Sequence, residues 1–215
     1  MAAIDPRLEP LYLIADLGTA LARGLHLPSV VSAFLSGGGR MVSLRSRGVD
    51  DRAAIEVGRA IAAQVSAAGG LFLVHQRLDL AILLAADGVH LPARGFTPDE
   101  TLRVAGRRLL LGRSAHDPDE IHGPTLFSSR PPELAFHTLG PFFPSTSKPG
   151  YGPHLSLSHL RGLPGPVYAL GGVTPHNAPG AVAAGAFGVA VVGAILFADD
   201  PAQTTRDFLA ALAQS

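Results

Sequence analysis

The chain has 215 residues with 17 basic and 17 acidic side chains, so its formal net charge is zero, and it contains no cysteine. Zero net charge gives no reason to expect nucleic acid or an anionic membrane as a partner. The lack of cysteine excludes disulfides, thiolate metal sites and cysteine nucleophiles, and it is typical of a cytoplasmic enzyme.

Near the N-terminus, Asp5 and Glu9 stand where a signal peptide would need an apolar run. We therefore expect no export signal and a cytoplasmic location. The uncharged stretch 167–198 is interrupted by Pro175 and Pro179, and its apolar parts are too short to span a bilayer. It is interpreted as buried core.

Short apolar segments recur about eight times, and most are continuous rather than alternating. Continuous apolar runs are typical of strands buried on both faces, as in parallel sheets. In chain order the predicted strands are LYLIAD (11–16), RMVSLRS (40–46), LFLVHQ (71–76), GVHLP (88–92), RLLLGRSA (108–115), LAFHTLG (134–140), PVYALGG (166–172) and FGVAVVGAI (187–195).

Alanine- and leucine-rich segments at helical spacing lie between these strands. In the clearest of them, Asp50 and Asp51 lie near the positive end of the helix dipole. The predicted helices are 50–68, 77–86, 97–106 and 201–213.

About eight strand–helix units in this length predict an α/β fold, a single (β/α)8 TIM barrel of parallel strands. No low-complexity linker divides the chain, so we expect one domain over residues 1–215. The fifth connection, 117–133, contains a Gly-Pro and a Pro-Pro pair, which predicts an irregular or shortened fifth helix.

In such barrels the functional side chains follow the carboxyl ends of the strands. The loop 140–153 offers hydroxyls and one ammonium group, which suit a phosphate or a carboxylate. Glycines after the last two strands let backbone amides approach a second anion. The candidate substrate-binding residues are Arg45, Arg47, His75, Gln76, Ser114, Ser145, Ser147 and Lys148, the candidate phosphate-binding residues are Gly171, Gly172, Val192 and Gly193, and His116 is the candidate catalytic residue.

Structural explanations compete with these assignments. Arg45 and Arg47 also fit the solvated end of an exposed strand, and His116 fits a cap of the turn at Asp117. Four histidines fall on consecutive predicted strands, but no pair has metal-ligand spacing and no carboxylate accompanies them at the strand ends. We therefore expect no bound metal. The four are His75, His90, His116 and His137.

Seven segments resemble the thiamine phosphate synthases and the related thiazole tautomerases, in the same order along nearly the whole chain. The most specific are the loop GPFFPSTSK and the two glycine turns near the C-terminus. The segments are LYLIAD, VSLRSR, LFLVHQRLDLAILLAADGVHLP, LGRSAH, GPFFPSTSKPGYGP, YALGGVTPHN and GAFGVAVVGAI.

The resemblance implies a (β/α)8 barrel that binds a thiazole phosphate, joined in the synthases to a pyrimidine pyrophosphate with magnesium. Arg45 and Arg47 match an arginine and a lysine of the synthases. Ser145, Ser147 and Lys148 match the hydroxyls and lysine of their loop. The turns Gly171-Gly172 and Val192-Gly193 match their thiazole phosphate site, although the synthases usually have serine at Gly193.

The departures from the synthases concern magnesium. Their Asn-Asp pair after the third strand is replaced by His75-Gln76, and their acidic stretch after the fourth strand by LPARGFTPDE. Magnesium prefers hard, usually anionic, oxygen ligands. The tautomerases resemble the chain more closely at HLPARGFTP and GRSAH, and their reaction is a proton transfer without a metal.

The leading hypothesis is therefore a metal-independent thiazole tautomerase-like isomerase of thiamine biosynthesis. In it His116 moves the proton, Arg45 or Lys148 holds the carboxylate and the two glycine turns hold the phosphate. No cofactor is expected, with magnesium required only in a synthase. The alternatives are a divergent thiamine phosphate synthase and a non-catalytic barrel that binds thiazole phosphate. The expected partner is this small molecule, and a homodimer stays open.

Overall fold

The computed structural model describes residues 4–122, 134–144 and 152–214. Within these ranges eight parallel strands pair in chain order and close into a barrel, because β1 also pairs with β8. The strands are β1 (Leu11–Asp16), β2 (Met41–Arg45), β3 (Leu71–His75), β4 (Gly88–Leu91), β5 (Leu110–Ala115), β6 (Phe136–Leu139), β7 (Val167–Leu170) and β8 (Gly188–Val191). The predicted TIM barrel is confirmed.

Helices surround this barrel and cover the outward-facing side chains of the strands. They are α1 (Leu17–Ala22), α2 (Leu27–Ser36), α3 (Asp51–Ala67), α4 (Leu78–Leu83), α5 (Pro98–Ala105), α6 (Asp119–His122), α7 (Ala178–Ala183), α8 (Gly193–Leu196) and α9 (Pro201–Leu212), with a 3-10 turn at Leu157–Leu160. None of the helices within the described ranges is long and apolar enough to cross a membrane.

The fifth connection is short where it is described. After β5, helix α6 has only four residues, as the Gly-Pro and Pro-Pro pairs predicted. Residues 123–133 lie outside the described part of the chain. The assignment of all 215 residues to one domain stays a prediction.

An aromatic layer fills the inside of the barrel. The rings of Tyr12, Phe136 and Tyr168 meet edge to face, with centroids 5.4 to 5.7 Å apart. This is a preferred geometry for aromatic rings. A side chain at Gly112 would overlap the Phe136 ring, so only glycine fits beside it. The layer closes the barrel below the mouth and leaves the carboxyl ends of the strands to form the site.

Candidate active site

The floor of the barrel mouth is a hydrogen-bonded network around a buried imidazole. His90 is fully buried on β4. Its Nδ1 lies 2.8 Å from the hydroxyl of Tyr12. Its Nε2 lies 3.0 Å from the hydroxyl of Ser114 and 3.2 Å from that of Thr138. His90 thereby fixes the position of Ser114, a predicted substrate contact.

His90 is neutral in this setting. Burial lowers its pKa well below the ordinary value, and repulsion from the protonated forms of His75 and His137 lowers the pKa further. A neutral imidazole has one donor and one acceptor nitrogen, which suits a ring between hydroxyl groups on both sides. In the sequence His90 is one of four histidines on consecutive predicted strands, and no motif there indicates this role. Its place between two apolar residues, Val89 and Leu91, indicates burial but not its hydroxyl partners.

His75 and Gln76 form a tight turn at the carboxyl end of β3. The His75 ring is 8% exposed and its centroid lies 4.2 Å from that of His90. The Arg77 amide donates to the His75 carbonyl at 2.9 Å, and Gln76 between them has a φ of 69°. A γ-turn with positive φ is rare and strained for a residue with a side chain. The backbone N–H of Gln76 donates to the His90 carbonyl at 2.9 Å, which holds the ends of β3 and β4 together.

An ion pair joins the ends of β1 and β2. Asp16 and Arg45 are register partners, and the Arg45 guanidinium donates to the Asp16 carboxylate. That carboxylate also accepts the Thr19 amide at 2.9 Å, at the start of α1. Arg45 is therefore half-buried and held in place, whereas Arg47 is exposed. Of the two arginines, only Arg47 still fits the alternative explanation of a solvated strand end.

His116 lies where β5 meets the end of β6. Its ring Nδ1 donates to the Gly140 carbonyl at 3.3 Å, and its backbone amide donates to the Glu120 carboxylate at 2.7 Å. The turn that follows is capped by Asp117, whose carboxylate accepts the Asp119 amide at 2.9 Å. The His116 side chain therefore does not cap this turn. Three predicted contacts on the next loop, Ser145, Ser147 and Lys148, lie outside the described residues.

The β7 turn packs directly against the chain that leaves β6. Gly171 and Gly172 have φ values of 96° and 63°, which favour glycine. A side chain at Gly172 would clash with the carbonyl oxygen of Pro144, and the Cβ of one at Gly171 would lie 2.7 Å from the Cβ of Pro141. The approach of an anion, which the sequence predicts for these glycines, stays a prediction, and their close packing against the β6 end is a second reason for glycine.

Two backbone donors at this end of the mouth have no acceptor among the described residues. The Asn177 side-chain amide donates to the Gly172 carbonyl at 3.1 Å and so holds the turn. The amides of Gly172 and Gly193 donate to no acceptor in 4–122, 134–144 or 152–214. Gly193 follows Val192 after β8, which pairs with β7. The structure therefore brings the four predicted phosphate-binding residues to neighbouring strand ends.

The donor set does not fit magnesium held by protein carboxylates. The positions for which the resemblance implies such carboxylates carry Gln76 after β3 and Pro92, Ala93 and Arg94 after β4. No three His, Asp or Glu side chains of the described segments gather as a metal site. Uncharged and cationic groups are poor ligands for this ion.

Comparison with known proteins places the chain among synthases. A family model described as thiamine monophosphate synthase matches residues 11–195. The thiamine-phosphate synthase of Roseiflexus castenholzii is 35% identical over 91% of this chain and 84% of its own length. That of Moorella thermoacetica is 32% identical over 91% and 92%. The thiamine phosphate pyrophosphorylase from Pyrococcus furiosus shares the fold, with a TM-score of 0.78 at 22% identity over 95% of each chain.

These comparisons overturn the tautomerase hypothesis. The expected isomerase rested on the strand ends HLPARGFTP and GRSAH, which together make up a small part of the chain. Likeness over nearly the full length is to proteins named as synthases, at 32 to 35% identity. The isomerase assignment was therefore wrong, whereas a catalytic role of His116 stays a prediction. The chain belongs to the thiamine monophosphate synthase family.

Proposed function

We propose that this protein is a transferase that joins hydroxymethylpyrimidine pyrophosphate to thiazole phosphate and releases pyrophosphate. The supporting observation is the likeness over nearly the whole length to curated thiamine-phosphate synthases. The reaction breaks the C–O bond between the pyrimidine methylene and the pyrophosphate, which leaves with the electron pair. The thiazole nitrogen supplies the electron pair of the new C–N bond, so atoms and charge balance without an oxidant.

The β7 and β8 turns suit the phosphate of the thiazole. The amides of Gly172 and Gly193 have no acceptor in the described ranges, and these turns match the thiazole phosphate site of the family. Backbone amides at a glycine turn can approach a phosphate oxygen without steric hindrance. We assign Gly171, Gly172, Val192 and Gly193 to this phosphate.

The polar floor suits the pyrimidine. The centroid of the His75 ring lies 4.2 Å from that of the neutral His90 ring, and the Ser114 hydroxyl lies 3.0 Å from the His90 Nε2. An aminopyrimidine has both donors and acceptors at its edge, which a histidine and a hydroxyl can satisfy. We assign His75, Gln76 and Ser114 to this ring.

His116 serves as a ligand contact rather than as a proton carrier. No proton has to be transferred at the two atoms that form the new bond. A carbonyl oxygen only accepts, so the bond to Gly140 places the proton of the neutral ring on Nδ1. Nε2 is then an acceptor in the neutral ring and a second donor in the protonated ring. Arg45 and Arg47, with Ser145, Ser147 and Lys148 of the β6 loop, complete the assigned contacts.

The test is a product assay with both substrates. Purified protein incubated with hydroxymethylpyrimidine pyrophosphate and thiazole phosphate should form thiamine phosphate, measured by chromatography with mass detection. Each substrate alone should give no product. We expect Gly193→Val to weaken thiazole phosphate binding, because its side chain would obstruct the amide.

A second candidate is a barrel that binds thiazole phosphate without turnover. The replacement of the family carboxylates by Gln76 and Arg94 favours it. In that case calorimetry would show thiazole phosphate binding while the product assay stays negative with every divalent cation tested. Product formation would exclude this candidate.

A further inference from the structure

The loops after β2, β3 and β4 are rich in arginine. They comprise residues 46–50, 76–77 and 92–97. Together they contain three arginines, and their single carboxylate is that of Asp50. Since β3 pairs with β2 on one side and with β4 on the other, the three loops are neighbours along the mouth.

Four carboxylates around these loops are already used within the fold. Asp50 accepts the Ala53 amide at 3.0 Å and so caps α3. Asp16 is paired with Arg45. The guanidinium of Arg77 is paired with Asp51 at 2.9 Å and with Asp79 at 2.6 Å. None of these groups offers a free carboxylate for a cation.

Of the three loop arginines, two have no ion pair and no side-chain hydrogen bond to any residue that the structure describes. They are Arg47 after β2 and Arg94 after β4, and both are exposed. Neighbouring strands of a sheet are about 4.8 Å apart, so the ends of β2 and β4 are roughly 10 Å apart. Two arginine side chains can span this separation and reach one diphosphate between them.

The backbone that carries Arg94 is held in place. The Arg113 guanidinium donates to the Ala93 carbonyl at 3.0 Å, next to Arg94. The amide of Gln76 ties the end of β3 to that of β4. Arg94 thus extends from a fixed point on the rim, although its side chain is exposed.

We propose that Arg47 and Arg94 bind the pyrophosphate group directly, in place of a magnesium ion held by protein carboxylates. The inference rests on the proposed function for the source of this group. Arginine forms paired N–H···O bonds to phosphate oxygens and stays charged at any working pH. The two guanidinium groups would stabilise the negative charge that pyrophosphate gains as its bond to the pyrimidine methylene breaks.

Calorimetric titration with inorganic pyrophosphate tests the proposal. Pyrophosphate should bind in the presence of EDTA, and added magnesium should not tighten the binding. Arg47→Gln and Arg94→Gln should each weaken it about tenfold, which is typical of the loss of a charge-assisted hydrogen bond. Arg59→Gln, which removes an exposed arginine from the middle of α3, is the matched control and should bind as the wild type does.

A third variant restores the family carboxylate. Gln76→Asp should weaken binding in EDTA and make it dependent on magnesium, because it places an anion between the two arginines. Thermal unfolding of each variant will show that the fold is kept. The proposal is overturned if the wild type binds pyrophosphate only with magnesium, or if both arginine variants match the control.

The product assay separates this inference from the proposed function. Thiamine phosphate that forms only with magnesium would support the transferase and overturn metal-free pyrophosphate binding. Tight pyrophosphate binding in EDTA that depends on Arg47 and Arg94, without any product, would support the binding site and overturn the transferase.

Discussion

Asp16 is a buried carboxylate, 4% exposed, that serves both an arginine and a helix start. Asp16→Asn keeps an acceptor for the Thr19 amide but leaves the Arg45 charge unpaired in a half-buried place. Loss of one partner of a buried pair costs about 3 to 5 kcal/mol. Since Arg45 keeps some contact with water, we expect a loss near 3 kcal/mol in the free energy of unfolding.

Urea denaturation of Asp16→Asn measures this loss. The matched control is Asp51→Asn, which removes an exposed carboxylate from the pair with Arg77 and should cost less than about 1 kcal/mol. Equal effects of the two substitutions would show that burial adds nothing to the Asp16–Arg45 pair.

At the scale of elements, the packing of β5 against β6 depends on Gly112. Gly112→Ala would push a methyl group into the Phe136 ring inside the barrel. Overpacking of a tight core costs about 1 to 3 kcal/mol, and we expect a loss in that range by urea denaturation. In Gly180→Ala on α7, the new Cβ would meet only a Leu157 methyl group at 3.8 Å, so this control should be neutral or stabilising. A destabilised control with an unaffected Gly112→Ala would contradict the packing account.

The bounds of the helices and strands could be predicted from the sequence far better than the packing inside the barrel. The predicted strand 11–16 and the predicted helix 50–68 agree with β1 and α3 to within a residue at each end. Continuous apolar runs and helix caps are local signals, which explains this agreement. The contact between Gly112 and Phe136 depends on barrel register, which no local pattern encodes.

In the candidate site, too, features set by local sequence could be predicted, whereas contacts between distant strands could not. The carboxyl ends of the first seven strands were predicted to within two residues, but the predicted strand 187–195 wrongly included most of α8, because β8 ends at Val191. Parallel topology places these ends together. The hydrogen-bonded network around His90 could not be predicted, because its hydroxyl groups come from Tyr12, Ser114 and Thr138 on three other strands. The reaction was assigned wrongly because two short strand ends were given more weight than likeness along the whole chain.

At the scale of the whole molecule, the buried His90 and the half-buried His137 make the barrel sensitive to acid. Burial, with the nearby charge of Arg113, lowers the pKa of His137 to about 4, and burial keeps the pKa of His90 well below its ordinary value. Both rings are neutral in the folded barrel, whereas the unfolded chain protonates them below about pH 6.5. The unfolded state then binds more protons, so the free energy of unfolding falls as the pH is lowered from about 6.5.

The contribution of His137 to the free energy of unfolding is lost between about pH 6.5 and pH 4. Below this range it no longer changes, because the ring is protonated in the folded state too. Urea unfolding at pH 7, 6 and 5 should show a steady loss that His137→Gln reduces. His159→Gln, at an exposed position, is the control and should leave the slope unchanged. If the free energy of unfolding of His137→Gln depends on pH as that of the wild type does, protonation of this ring is not coupled to folding.

The β7 turn and the end of β6 can diverge only together during evolution. A side chain at Gly172 would meet the carbonyl oxygen of Pro144, so a mutation in one segment needs a compensating shift in the other. The loop after β4, with Arg94 exposed, is where the chain departs from the synthases it resembles. Mutations that change the substrate are therefore expected on the β2 to β4 side, while the contact between the β7 turn and the end of β6 is inherited as one unit.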